Sequence, residues 1–304
     1  MKDFLSISTC TKDQLLELLK LSHDLKALYK SGGRDICCAG KTLAMLFEKP
    51  SLRTRVSFET AIIQLGGSGI YIKPEDIGGI GKREPIKDMA RVFSRYVNAI
   101  MARTFEHDKV AELAKWATVP VINALTDWSH PCQAMADIMT MQEYFGDIAG
   151  RKIAYIGDGN NVARSLAFGC AKLDMKLVVA SPVGYELDRE SIAKANSHAS
   201  DTVIQTHDPR SAVEGADVIY TDTWVSMGQE SEVAKRRADF TGYQVNMELV
   251  KLAPSHVKVL HCLPAYRGFE ITDEVCESDH SVIFDEAENR LHFQRALLKK
   301  LICG

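Results

Sequence analysis

The sequence lacks most of what marks a fibrous, disordered or membrane-embedded chain. No apolar stretch in its 304 residues approaches the ~18 residues that a membrane span requires. Neither sign of charge predominates: 37 Lys and Arg stand against 40 Asp and Glu, a formal net charge of −3. No global positive field draws nucleic acid or an anionic membrane, so any anion site has to be local. The eight cysteines include no C-x-x-C pair, which removes the common zinc and redox spacings and leaves reduced thiols in a cytoplasmic chain as the expectation. There is no tandem repeat and no low-complexity segment. The N-terminus lacks the basic and apolar regions of a secretory signal; Thr11-Lys12-Asp13-Gln14 reads instead as a capping box opening an amphipathic helix through Leu15, Leu16, Leu18, Leu19 and Leu25.

What is present is globular: 46% of residues are hydrophobic and 25% charged. The length exceeds the roughly 250–300 residues at which single cores stop growing, so two domains are expected. Short β-prone runs recur with helical patterns between them, at Thr42–Phe47, Gly69–Ile72, Ala99–Ala102 and Val119–Ile122, then at Ile153–Ile156, Leu177–Ala180, Asp217–Tyr220, Val257–Leu260 and Ser281–Phe284. Such alternation predicts an α/β fold of two domains, each a parallel sheet flanked by helices, joined by interdomain helices. The helical pattern Gln133–Phe145 and the turn that follows it put the boundary near 134–150. The expected domains are residues 1–133, with a C-terminal helix at about 287–304 packing back on them, and residues 134–286.

In open parallel sheets ligands sit beyond the carboxyl ends of strands. After the first run comes Ser51-Leu52-Arg53-Thr54-Arg55, a turn opening a helix, whose unpaired N–H groups, hydroxyls and forked cations can hold a phosphate. An ordinary N-cap with two solvated arginines is the plain alternative. Arg103 follows the third run and His130 and Gln133 the fourth; alone, they would be a surface charge and residues at a helix start. Ile156-Gly157-Asp158-Gly159-Asn160-Asn161 is a strand running into a glycine turn. It fails the dinucleotide pattern, which needs a glycine at Val162, just as Gly40-Lys41-Thr42 fails the P-loop pattern, which needs one at Asp35. Asp222, with Ser226-Met227-Gly228, and His261-Cys262-Leu263-Pro264 each follow a further run. Neighbouring side chains on a strand point apart, so His261 and Cys262 are not expected to share a metal.

Taken in order, these strings resemble the aspartate and ornithine carbamoyltransferase family over essentially the whole chain. Ser-Leu-Arg-Thr-Arg is similar to the carbamoyl-phosphate loop, with Leu52 departing at the second place. His-Cys-Leu-Pro-Ala-Tyr-Arg-Gly is the hallmark of the ornithine branch. The resemblance implies that Ser51, Leu52, Arg53, Thr54, Arg55, Arg103, His130, Gln133, Cys262, Leu263 and Arg290 contact carbamoyl phosphate. It implies that Asn161, Asp222, Ser226 and Met227 hold ornithine, and that Arg103, His130, Asp222 and Cys262 serve catalysis. The implied reaction is carbamoyl transfer to the δ-amine of L-ornithine, giving citrulline and phosphate within arginine metabolism. Putrescine or an acylated ornithine is the alternative acceptor, and a non-catalytic member of the fold is a third possibility. No cofactor or metal is implied, and no nucleic-acid or membrane partner. A homotrimer or a multiple of trimers is expected, with a loop at Gly79–Pro85 reaching the neighbouring subunit. Many relatives carry Gln where this chain has Gly79, so Lys82 or Arg83 would supply that contact.

Overall fold

The computed structural model describes residues 1–197, 199–226 and 228–304. It divides into two units, Met1–Met139 with Glu288–Gly304, and Thr140–Ala287. The first holds a four-stranded parallel sheet of β1 (Thr42–Phe47), β2 (Ser68–Ile72), β3 (Ala99–Arg103) and β4 (Val121–Leu125), in the order β2-β1-β3-β4. The second holds five parallel strands, β5 (Lys152–Ile156), β6 (Lys176–Ala180), β7 (Val203–Thr206), β8 (Val218–Thr221) and β9 (Lys258–His261), in the order β7-β6-β5-β8-β9. Both sheets are covered by helices, as buried parallel strands of Val, Ile, Leu and Ala demand.

Both sheets reverse their strand order beside the first strand of the unit, between β1 and β3 and between β5 and β8. Connections leaving neighbouring strands there diverge to opposite sides, which opens a crevice at the carboxyl ends. Ser51 and Arg103 flank the first such point, and Gly157 and Asp222 the second.

In the first unit Leu46, Ile100, Val110, Leu113 and Val121 form part of a buried core; in the second Ile156, Ile219, Phe240, Val245 and Val259 do so. The capping box is formed as expected. Thr11 Oγ1 accepts the Gln14 N–H and Gln14 Oε1 accepts the Thr11 N–H, opening the helix Lys12–Lys30.

Two expectations need correcting. The run Ser281–Phe284 is not a strand: only an isolated bridge joins Ser281 to Val259, and the helix Ile283–Cys303 begins within it. The chain around it does make two sheet-like hydrogen bonds, Val259 N–H to the His280 carbonyl and Val282 N–H to that of Val259, before the helix takes over. The strand Val203–Thr206, an edge strand with half of its residues only partly covered, was not anticipated. Among the described residues no helix is long and apolar enough to cross a membrane.

Candidate active site

In the first unit the helix Leu52–Gln64 starts at Ser51, whose extended backbone and Oγ cap the N–H of Thr54. Thr54 is fully buried, and its hydroxyl is a meeting point. Arg103 Nη1 donates to Thr54 Oγ1 at 3.4 Å, Arg290 Nη2 donates to the same oxygen at 3.0 Å, and the Ser51 hydroxyl reaches it at 3.2 Å. Arg103 is carried by β3 where its register with β4 shifts, and Arg290 by the second turn of the helix Ile283–Cys303; both are buried. The surface-charge alternative for Arg103 is therefore excluded.

His130 lies in the same electrostatic environment. Burial, then the charges of Arg290 and Arg103, hold its imidazole well below the ordinary pKa of 6.5, so it is neutral at physiological pH. Its loop is pinned from several directions: Thr126 N–H donates to the Ser129 carbonyl, Ser129 N–H to Thr126 Oγ1, and Asn123 Nδ2 to the Ser129 carbonyl. Two cations and a neutral imidazole grouped at a helix N-terminus form a binding environment for an anion.

The remaining residues of this group sit differently. Gln133, fully buried on the first turn of the helix Pro131–Phe145, donates its side-chain amide to Asp137 Oδ1 at 2.8 Å. Leu52 is 75% exposed, leaving its backbone as its contribution, and Arg53 is half-buried on the same turn. Arg55 faces elsewhere, its guanidinium 4.0 Å from the Tyr71 ring and paired with Glu59.

Sequence reasoning missed Lys49, which is buried, pairs with Asp127 and lies 4.2 Å from the Phe105 ring, tying together the turns after β1, β3 and β4. A lysine beside a proline in a turn carries no sequence signal of burial. In the Gly79–Pro85 loop, Gly79 has φ +90° and a Cβ there would lie 2.9 Å from Lys82 Cδ, so this conformation disfavours Gln at that place. Lys82 and Arg83 are exposed.

In the second unit the centre is a carboxylate. Asp222, at the end of β8 and 7% exposed, receives three donors: Thr223 N–H and the Cys262 thiol on Oδ1, at 2.7 and 3.0 Å, and Asn160 Nδ2 on Oδ2 at 2.8 Å. A carboxylate is an acceptor of several hydrogen bonds at once, a fit partner for a further donor such as an ammonium. Asn160 is a residue to which sequence reasoning gave no role. It caps the helix Asn161–Lys172 through the Val162 and Ala163 N–H groups, accepts the Tyr155 hydroxyl at 3.2 Å, and so holds Asp222 to a helix start. Asn161 itself opens that helix, partly buried.

Gly159 lies where a Cβ would fall 2.2 Å from the Leu187 backbone nitrogen, so the turn admits no side chain there. Ser226 closes a turn with Gln229: its N–H donates to Gln229 Oε1 and its carbonyl accepts the Gln229 N–H. Met227 lies outside the described residues.

After β9 the chain turns at Leu263, which has φ +56° and donates its N–H to His261 Nδ1. That turn overrides the expected strand geometry, and the ligand atoms of Asp222, His261 and Cys262 come within 4.8 Å of one another. The chemistry still argues against a resident metal. His261 Nδ1 spends its lone pair on Leu263, Nε2 bonds Glu270, and His261 is fully buried.

Both units match known proteins. Residues 2–143 match the family model described as the aspartate/ornithine carbamoyltransferase carbamoyl-P binding domain, and residues 149–301 match the Asp/Orn binding domain. Ornithine carbamoyltransferase of Anoxybacillus flavithermus is 50% identical over 304 residues, covering 99% of this chain and 96% of its own length. The anabolic ornithine carbamoyltransferase of Pyrococcus furiosus is 49% identical, covering 100% of this chain and 97% of its own. Among solved structures, an ornithine carbamoyltransferase from Pyrococcus furiosus superposes with a TM-score of 0.96 at 49% identity, over 100% of this chain and 97% of that one. One from Thermus thermophilus gives 0.89 at 44%, over 99% of each chain.

Proposed function

The chain belongs to the aspartate/ornithine carbamoyltransferase family, and on that premise we propose that it transfers the carbamoyl group of carbamoyl phosphate to the δ-amine of L-ornithine, releasing L-citrulline and phosphate. The observation that carries this reading is the convergence of Arg103 and Arg290 on Thr54 beside a neutral His130. The phosphate is held by Ser51, Arg53, Thr54, Arg290 and the N–H groups at the start of the helix Leu52–Gln64.

The unprotonated δ-amine adds to the carbamoyl carbon, the bond to the phosphate oxygen breaks, and the nitrogen loses a proton. Arg103 and His130 donate to the carbonyl oxygen as it gains charge, a preorganised arrangement that stabilises the transition state without a covalent intermediate. Gln133 and the Leu263 carbonyl orient the carbamoyl amide. Asp222 binds the α-ammonium together with Ser226, while Asn161 and the Met227 backbone take the α-carboxylate. Cys262 is a positioning residue: its thiol already donates to Asp222, and it borders the reacting amine.

The proposed setting is the cytoplasm, and the proposed assembly a homotrimer or a multiple of trimers in which Lys82 or Arg83 reaches a neighbour's phosphate. Citrulline formation with ornithine, putrescine and N-acetylornithine offered separately tests the reaction. Turnover with ornithine alone is expected; preference for either other amine overturns the assignment. Mixing inactive Arg53→Ala protein with inactive Lys82→Ala, Arg83→Ala protein tests the assembly. Partial recovery of activity is expected, and none after verified subunit exchange removes the shared site.

A further inference from the structure

Away from both groups, three thiols from two distant segments meet in the first unit. Cys37 and Cys38 lie in the connection between the helix Lys12–Lys30 and β1, and Cys303 ends the helix Ile283–Cys303. The Cys38 and Cys303 sulfurs are 3.6 Å apart, those of Cys37 and Cys38 3.9 Å, and all three lie within 4.8 Å of one another. Contacts that do not depend on sulfur meeting sulfur hold this arrangement. Lys299 pairs with Asp35, Asp35 accepts the Cys37 N–H at 3.0 Å, and the Cys303 thiol donates to the Cys37 carbonyl at 3.2 Å. Cys38 is fully buried, Cys37 half-buried and Cys303 exposed, so the cluster opens to solvent on one side.

The spacing has a chemical meaning. Thiolates bound to Zn2+ at about 2.3 Å in a tetrahedron lie about 3.8 Å apart, and the separations from the Cys38 sulfur to the other two bracket that value. Sulfur-only donors select soft closed-shell cations over hard ones. We propose that Cys37, Cys38 and Cys303 bind one soft closed-shell cation, either Zn2+ with a water as fourth ligand or three-coordinate Cu+. A free cysteine is mostly a protonated thiol at neutral pH. Binding then exchanges three S–H bonds for three metal–sulfur bonds and releases three protons, with no change of oxidation state.

The test uses the full chain carrying Cys262→Ser, which removes the thiol of the Asp222, His261 and Cys262 group, kept reduced with a phosphine. Equilibrium dialysis with Zn2+ should give one ion per chain, and titration in weak buffer should show proton release. Cd2+ as a second probe should give an ultraviolet thiolate-to-metal band, and Cu+ offered against Zn2+ tells the two ions apart. Adding Cys303→Ser, an exposed site where folding is preserved and checked by circular dichroism, should abolish the band and the stoichiometric binding; so should Cys37→Ser. Binding that survives Cys303→Ser overturns the site. So does the absence of stoichiometric binding by either ion, or a reduced chain that takes up no metal after being isolated two hydrogens lighter as a Cys38–Cys303 disulfide.

Discussion

In one unit two guanidiniums are drawn to a single uncharged hydroxyl; in the other a single carboxylate is surrounded by an amide, a thiol and a backbone N–H. Both groups stand at strand-order reversals of parallel sheets and beside helix starts, so the scaffold is the same and the charge is inverted. The lesson is that the fold supplies a crevice and a helix dipole, and that the ligand's sign is written by a few side chains placed in it. An anion fits the first arrangement and an ammonium the second.

The comparison breaks first at Arg103. Arg103→Ala should leave circular dichroism unchanged and lower kcat by about 10²–10³, a loss of roughly 2.7–4 kcal/mol of transition-state stabilisation. Near-normal turnover would remove the anion reading. On the opposite side, Asp222→Asn keeps the shape and removes the charge. It should weaken binding of L-norvaline, measured by isothermal titration with carbamoyl phosphate present, by roughly 1.5–3 kcal/mol, the worth of a charged hydrogen bond, while carbamoyl phosphate binding alone stays unchanged.

Asn160→Ala sharpens the contrast at a smaller scale. Losing the cap should cost about 0.5–2 kcal/mol in chemical denaturation, and loosening Asp222 should raise the KM for ornithine more than it lowers kcat. The smallest effect is expected at Arg55→Ala. The exposed pair with Glu59 contributes only about 0.3–0.5 kcal/mol, and with its guanidinium over Tyr71 the residue should matter far less to turnover than Arg53 or Arg103.

Strand runs such as Thr42–Phe47 and Ile153–Ile156 were legible because buried parallel strands are continuous apolar segments, and the Thr11–Gln14 box because capping is local chemistry. Val203–Thr206 was not, since only two of its four residues are apolar and one of them, Ile204, is exposed at the sheet edge. Ser281–Phe284 misled because its residues favour β structure, while the helix that follows is fixed by contacts such as Glu286 with the His261 N–H and the Tyr220 hydroxyl, which only the folded chain brings together. At the site, the motif strings named Thr54, Arg103, Asp222 and Cys262. They did not reveal that Asn160 steadies Asp222, or that Lys49 is buried against Asp127, because those are tertiary pairings between turns far apart in sequence.

The cluster around Thr54 also makes the folded chain a reporter of its surroundings. Burial and the two arginines depress His130, so on acidification the unfolded chain takes up that proton first; this share of the stability is complete above about pH 6.5 and drains away as the pH falls towards the folded value. An anion seated among those cations works the other way, because it binds the native state alone. Inorganic phosphate at a hundred times its dissociation constant should add about 2.7 kcal/mol to unfolding, an increment that Arg103→Ala should erase. Protein handled in phosphate buffer should therefore outlast the same protein in an amine buffer of equal pH and ionic strength, a difference set by solution composition with no change in the covalent chain.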